Sequence, residues 1–141
     1  MRIVDVNVLL YAINVDAPNH EAARSRLDAA LNDHEALAFP WTVLLAFVRL
    51  ATNRAVFENA LSVEQAIGQL REWLRQPAAM VVEPGVRHLE ILANLLAESG
   101  VGGNLVGDAH LAALAIEHDA ELISFDRDFS RFAGLRWSLP G

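Results

Sequence analysis

Short runs of branched aliphatic residues recur between longer stretches with helical spacing, and this alternation limits what the chain can fold into more than any single motif does. The runs are "RIVDV" from Arg2, "ALAF" from Ala36, "AMVVE" from Ala79 and "AELISF" from Ala120, with "LRWSL" from Leu135 as a fifth candidate at an edge. Each is four to six residues, the length of a strand buried in a sheet, and each is bounded by turn residues or an acidic side chain. Between them lie six helical stretches, starting near Val6, Ala17, Trp41, Leu61, Val86 and Leu105. Strands that alternate with helices imply an α/β sandwich with a mainly parallel sheet. No repeat, linker or low-complexity tract divides the 141 residues, so the expectation is a single domain over 1–141.

Several local features sharpen this outline. In the second helix Ala22, Ala23, Leu27, Ala30 and Leu31 share one face. The third, "WTVLLAFVRLATN", is apolar nearly all round and reads as buried. Ser62 and Gln65 have the spacing of a capping box for the fourth, which Pro77 ends. Leu89, Leu92, Leu95 and Leu96 form the apolar stripe of the fifth, which should stop near Gly100. Asn104 is placed to cap the sixth.

Composition removes whole classes of chemistry. The chain has no cysteine, hence no disulfide, thiolate zinc site or cysteine nucleophile. All eleven basic residues are arginine, which excludes Schiff bases and a P-loop lysine. A net charge of −7 is the wrong sign for binding nucleic acid through a broad basic face. If the partner is a polyanion, a divalent cation held by carboxylates supplies the missing positive charge. No apolar run approaches the roughly 18 residues of a membrane span, and the N-terminus does not read as a signal peptide. A cytosolic protein is expected.

Parallel sheets carry function at the carboxyl ends of their strands, so acidic residues there are the first candidates. Asp5 ends the first strand, with Asn7 two residues on, and Asp126 ends the fourth. Either could simply cap the turn or helix that follows. Asp108 lies in the first turn of the sixth helix, on the face of Leu111, Ala112 and Ala115, where a lone carboxylate is costly unless partnered. Asp128 is the better candidate to cap the turn "DFSRF". Together Asp5, Asp108 and Asp126 could converge on one sheet edge, where their mutual repulsion calls for a cation. Hard carboxylate oxygens select Mg²⁺ or Mn²⁺. His110 and His118 lack a metal-binding spacing and read as packing or surface residues, although His110 lies near Asp108. Phe125, Phe129, Phe132 and Trp137 read as core.

These residues carry a resemblance. "RIVDVNVLLYA", "FPWTVLLAFVRLATN", "GNLVGDAHLAALAIEHDAELISFDRDFSRF" and "GLRW" resemble, in order and spacing, the PIN-domain ribonucleases of the VapC type, toxins of bacterial toxin-antitoxin pairs. The resemblance implies an α/β/α sandwich, Mg²⁺- or Mn²⁺-dependent cleavage of RNA, a VapB-like antitoxin and a homodimer. Position by position it assigns Asp5, Asp108 and Asp126 to metal and catalysis. It places Asn7 and Ser124 beside them as candidates to bind the substrate, with Arg49 as a candidate guide for the RNA backbone. One position departs from the pattern: Ala46 stands where many members carry a glutamate. Either three aspartates suffice, or Asp128 stands in as a fourth ligand, or the chain is a weak or inactive module that binds antitoxin or RNA. Receiver and phosphatase folds also cluster aspartates around Mg²⁺, but they use a lysine that this chain lacks.

Overall fold

The computed structural model describes residues 1–100 and 102–141, with only the backbone of Asn104. Its elements run β1 (Arg2–Val4), α1 (Val6–Ile13), α2 (His20–Leu31), β2 (Leu37–Pro40), α3 (Trp41–Ala51), α4 (Val63–Leu74), β3 (Ala79–Val82), α5 (His88–Ser99), α6 (Val106–Glu117), β4 (Glu121–Ile123) and β5 (Arg136–Ser138). Single 3-10 turns at Gly103–Leu105 and Arg127–Arg131 lead into α6 and out of β4.

All four strand pairings are parallel, in the order β3-β2-β1-β4-β5. The chain therefore builds outward from β1 through β2 to β3, then returns and builds outward on the other side. Right-handed crossovers in opposite directions place their helices on opposite faces. Accordingly α1 packs on α2 and α3, and α3 on α4, whereas α5 packs on α6. The result is the expected α/β/α sandwich. Its core is apolar, with Ile3, Leu9, Phe39, Phe47, Leu114, Leu122 and Phe129 all but fully enclosed. Phe132 joins them, while Phe125 and Trp137 are partly buried against this core.

Local chemistry accounts for the helix boundaries. Ser62 Oγ accepts from Gln65 N at 3.0 Å and Gln65 Oε1 accepts from Ser62 N at 2.9 Å, completing the capping box. Gly100, at φ 66°, ends α5 in the left-handed region that a side chain disfavours. The capping role expected of Asn104 lies outside the described residues.

Three expectations need correction. Helix α3 is not buried all round: Trp41 and Leu45 are 52% and 63% exposed, because only one flank meets α1 and α4. On α5, Leu89 is 71% exposed, so its stripe buries Leu95 and half-buries Leu92 and Leu96 only. The turn after β4 starts at Arg127, so its cap is Asp126, two residues before the expected Asp128; Asp126 Oδ1 accepts from Asp128 N at 2.9 Å. Asp128 is instead exposed, within 3.4 Å of the Arg131 guanidinium.

Glu117, the last residue of α6, ties the two helices of the second layer together. Its carboxylate accepts from Gly85 N at 2.7 Å and Arg87 N at 3.0 Å, just before α5 begins. A Cβ at Gly85 would lie 2.6 Å from Glu117 Oε2, so a side chain there would displace this carboxylate from its hydrogen bonds. The Gly85 hydrogen bond, seconded by that from Arg87, holds the carboxyl below its ordinary range despite burial. This stabilisation is present at neutral pH and is lost as pH falls through the depressed value. Glu117→Gln should lower stability by about 1.5 to 3 kcal/mol at pH 7, the contribution of hydrogen bonds to a charged group. Urea unfolding at pH 7 and pH 3 checks it: the difference between the two proteins should shrink at the lower pH.

Candidate active site at the sheet switch point

The reversal of strand order falls between β1 and β4, and in open parallel sheets a crevice forms at the carboxyl ends of such a pair. Val4 pairs with Ile123, and Asp5 N donates to Ile123 O at 3.0 Å. One residue further out, Asp5 and Ser124 thus stand side by side on neighbouring strands. Ser124 Oγ donates to Asp5 Oδ2 at 2.6 Å and accepts from Asn7 Nδ2 at 3.2 Å and Asp126 N at 3.0 Å. Its one donor and two acceptor sites are all used. Asn7 closes the ring, with Oδ1 accepting from Phe125 N at 3.2 Å.

Asp5 keeps the capping role that was its alternative reading: Oδ1 accepts from Val6 N at 2.7 Å at the start of α1. Burial nevertheless raises its pKa above the ordinary carboxylate value, outweighing the bonds from Ser124 and Val6, and the Asp126 charge adds to the rise. Asp108 enters from the first turn of α6. Its pKa is pushed up to about 6, first by burial, then by the charges of Asp126, Asp5 and Asp128, with Arg131 opposing. A carboxylate that feels three others is in a site poor in compensating charge.

The structure therefore brings Asp5, Asp108 and Asp126 to one edge, with Asp128 at the rim. Their donors fit a hard divalent cation in kind, although among the described residues no three acidic or histidine side chains stand close enough to enclose one as they are. Asn7 and Ser124 are in the site, but they hold the carboxylates and each other. Ser124 has no exposed surface from which to touch RNA. Arg49 is exposed in the last turn of α3 and makes no ion pair among the described residues. The cation acting on Asp108 is Arg131, which sequence reasoning missed because it sits in a five-residue turn rather than on a helix face. Ala46 is half-buried and offers no ligand.

The PIN domain family matches residues 2–135. The chain is a PIN-domain protein. Among relatives of this PIN domain, ribonuclease VapC37 of Mycobacterium tuberculosis is 51% identical over 140 residues, covering 99% of this chain and 97% of its own. Ribonuclease VapC33 of the same species is 40% identical, covering 99% and 98%. The fold also matches solved structures. The VapBC2 complex of Rickettsia felis, bound to a promoter DNA fragment, gives a TM-score of 0.72 at 19% identity over 98% of this chain and 97% of that one. VapC20 of M. tuberculosis, described as a toxin cleaving the sarcin-ricin loop, gives 0.68 at 19% over 96% and 99%. At such identities these neighbours establish the PIN fold alone. No helix among the described residues is long and apolar enough to cross a membrane.

Proposed function

We propose that this PIN domain is a divalent-metal-dependent endoribonuclease, the toxin of a toxin-antitoxin pair, working with Mg²⁺ or Mn²⁺ in the cytosol. The observation that carries the reading is the meeting of Asp5, Asp126 and Asp108 at the switch point, in a chain whose relatives at 51% and 40% identity are named ribonucleases. When bound, the cation supplies a Lewis acid and a water of lowered pKa for attack on phosphorus. Mg²⁺ commonly takes one or two carboxylates and completes its shell with water and substrate phosphate. That preference agrees with side chains that do not close around a point by themselves.

Asp5 and Asp126 would hold the ion from the strand ends and Asp108 from the helix. Ser124 and Asn7 keep the Asp5 carboxylate and the backbone after β4 in place, so the ligands do not reorganise as substrate arrives. Arg131, paired with Asp128 and close enough to oppose the rise at Asp108, offers the positive charge for the RNA backbone that Arg49 was expected to provide. A VapB-like antitoxin is the proposed partner, as in the complexes of the VapBC neighbours. Pairing of two copies, as the resemblance implies, is read from sedimentation. The binding-only alternative prompted by Ala46 is not favoured, because the relatives that match nearly the whole chain are ribonucleases by name.

Cleavage of RNA in Mg²⁺ or Mn²⁺ compared with EDTA tests the proposal, and cutting that persists in EDTA would sink it. The raised pKa of Asp108 adds a second expectation. With the carboxyl titrating near 6, metal binding must displace a proton at pH 6 and not at pH 8. Affinity for Mn²⁺ should therefore rise as pH increases through 6 and then level off. Calorimetry at pH 6 in buffers of different ionisation enthalpy measures the released proton directly.

A further inference from the structure

A second concavity shares the sheet's functional edge. It encloses about 290 Å³ between Pro40, Trp41, Thr42, Val82, Glu83, Pro84, His110 and Leu114. Pro40 ends β2 and Val82 ends β3, so the cavity opens at the carboxyl ends of β2, which neighbours β1, and of the edge strand β3 beyond it. His110 and Leu114, one turn apart on α6, form its far wall. Two residues along a helix correspond to about 200° of rotation, and a helix with its side chains is about 10 Å across. Asp108 thus looks to the β1–β4 crevice while His110 faces the cavity, with a distance between them that a short single-stranded segment spans.

The lining has the chemistry of a nucleobase site. Trp41, the first residue of α3, exposes 52% of its surface, an unusual place for a large ring and a ready stacking platform. The polar groups around it are biased toward acceptors. Glu83 is an exposed carboxylate whose backbone carbonyl is fixed at 2.8 Å from His118 Nε2. His110 Nδ1 lies 2.9 Å from Nε2 of the buried His88, whose own Nδ1 has no hydrogen-bond partner among the described residues and stands 3.8 Å from Glu117 Oε1. A proton on His88 Nδ1 faces that carboxylate, whereas a lone pair there would be repelled by it. His88 Nε2 then accepts from His110 Nδ1–H, which leaves His110 Nε2 as an acceptor toward the cavity.

We infer that this cavity is a base-specific subsite for single-stranded RNA, in which Trp41 stacks on guanine and Glu83 with His110 reads its adjacent N1–H and N2–H₂ donors. Guanine alone among the four bases presents two neighbouring donors on its pairing edge. The inference deepens the ribonuclease reading and rests on it for the origin of the RNA. The base would sit at a fixed distance in sequence from the cut.

The test has two arms. In EDTA, where no cutting is expected, fluorescence anisotropy of end-labelled uridine pentamers with one central guanine, hypoxanthine, adenine or cytosine measures binding by the wild-type protein. Guanine should bind about tenfold or more tightly than hypoxanthine, the discrimination of a bidentate contact. Glu83→Gln should remove that preference, Trp41→Ala should weaken all four pentamers, and Trp41→Phe should restore stacking. In the second arm, cleavage of a randomised RNA pool should show guanine enriched at one position relative to the cut, and Glu83→Gln should flatten that position. A preference that is absent, or that survives Glu83→Gln, overturns the subsite. So does a Trp41→Ala protein that loses only its self-association in sedimentation, because this face is then an interface between copies. Absence of cleavage with the binding preference intact would count against the ribonuclease reading and leave the subsite supported.

Discussion

Asp108→Asn should have opposite effects on stability and on catalysis. In EDTA at pH 8 the variant should unfold at a higher temperature than the wild type, while RNA cleavage in Mg²⁺ falls by about 10²- to 10³-fold, the scale of losing one preorganised charge-stabilising group. The sign follows from linkage. The Asp108 carboxyl titrates near 6 in the folded chain and at the ordinary carboxylate value when unfolded, so the folded state binds the proton more tightly. Its stabilisation is fully present below the unfolded value and is gone above about pH 6. At pH 8 the ionised group stands partly buried among three like charges and works against folding, and the neutral amide relieves this. The wild type without metal should accordingly lose stability between pH 4 and pH 7, with the loss smaller in Asp108→Asn. Saturating Mn²⁺ should restore only the wild type, by mass action on the folded state. Thermal scans with and without metal check all three statements. Lower stability of Asp108→Asn in EDTA would mean that the carboxylate is already compensated, and that nothing calls for a cation.

Ser124→Ala should damage both properties at once. The hydroxyl is enclosed and makes three hydrogen bonds, one donated to Asp5 and two accepted from Asn7 and Asp126 N. Alanine leaves a buried carboxylate oxygen and a backbone N–H without that partner. Loss of a hydrogen bond to a charged group, together with an unsatisfied donor, comes to roughly 2 to 5 kcal/mol. Activity in Mg²⁺ should fall about 10- to 100-fold even below the melting temperature, as for other groups that orient ligands. Ser124→Thr, which keeps the hydroxyl, should recover most of the activity if the extra methyl is accommodated. Urea unfolding and single-turnover cleavage at 20 °C separate the two effects. Unchanged cleavage by Ser124→Ala would show that Asp5 needs no help to hold its position.

Much of this site was legible in the chain because it is built from segment ends. A strand in a parallel sheet announces its end by a polar residue after a short apolar run, and Asp5 and Asp126 both follow that rule. Asp108 was legible because a carboxylate on the apolar face of α6 needs a partner. The roles of Asn7 and Ser124 were not, since which polar atom faces which depends on the register of β1 against β4, and sequence does not state register. The same limit explains Asp128: a two-residue shift in where the turn begins moved the cap to Asp126. Helix α3 misled for another reason. Its apolar residues surround the axis, but strand order decides which flank finds a neighbour, and Trp41 and Leu45 were left outside. Glu117, His88 and Arg131 carried no signal, being ordinary polar residues whose partners lie on other elements 22 to 32 residues away or in an irregular turn.

The departure at Ala46 bears on the number of ligands. With alanine there, the carboxylates at the β1–β4 crevice among the described residues are the three aspartates and the exposed Asp128. Mg²⁺ tolerates such a sparse protein shell because water and phosphate complete it. Metal affinity should therefore be modest for the protein alone and higher with RNA present.

The most direct measurement is cleavage of a defined single-stranded RNA by the purified protein and by Asp5→Ala, each in Mg²⁺, in Mn²⁺ and in EDTA. Metal-dependent cutting by the wild type alone, with both proteins folded by circular dichroism, is the predicted result. Equal cutting by the two proteins, or cutting undiminished in EDTA, would contradict the assignment of Asp5, Asp108 and Asp126 as a metal-dependent nuclease site.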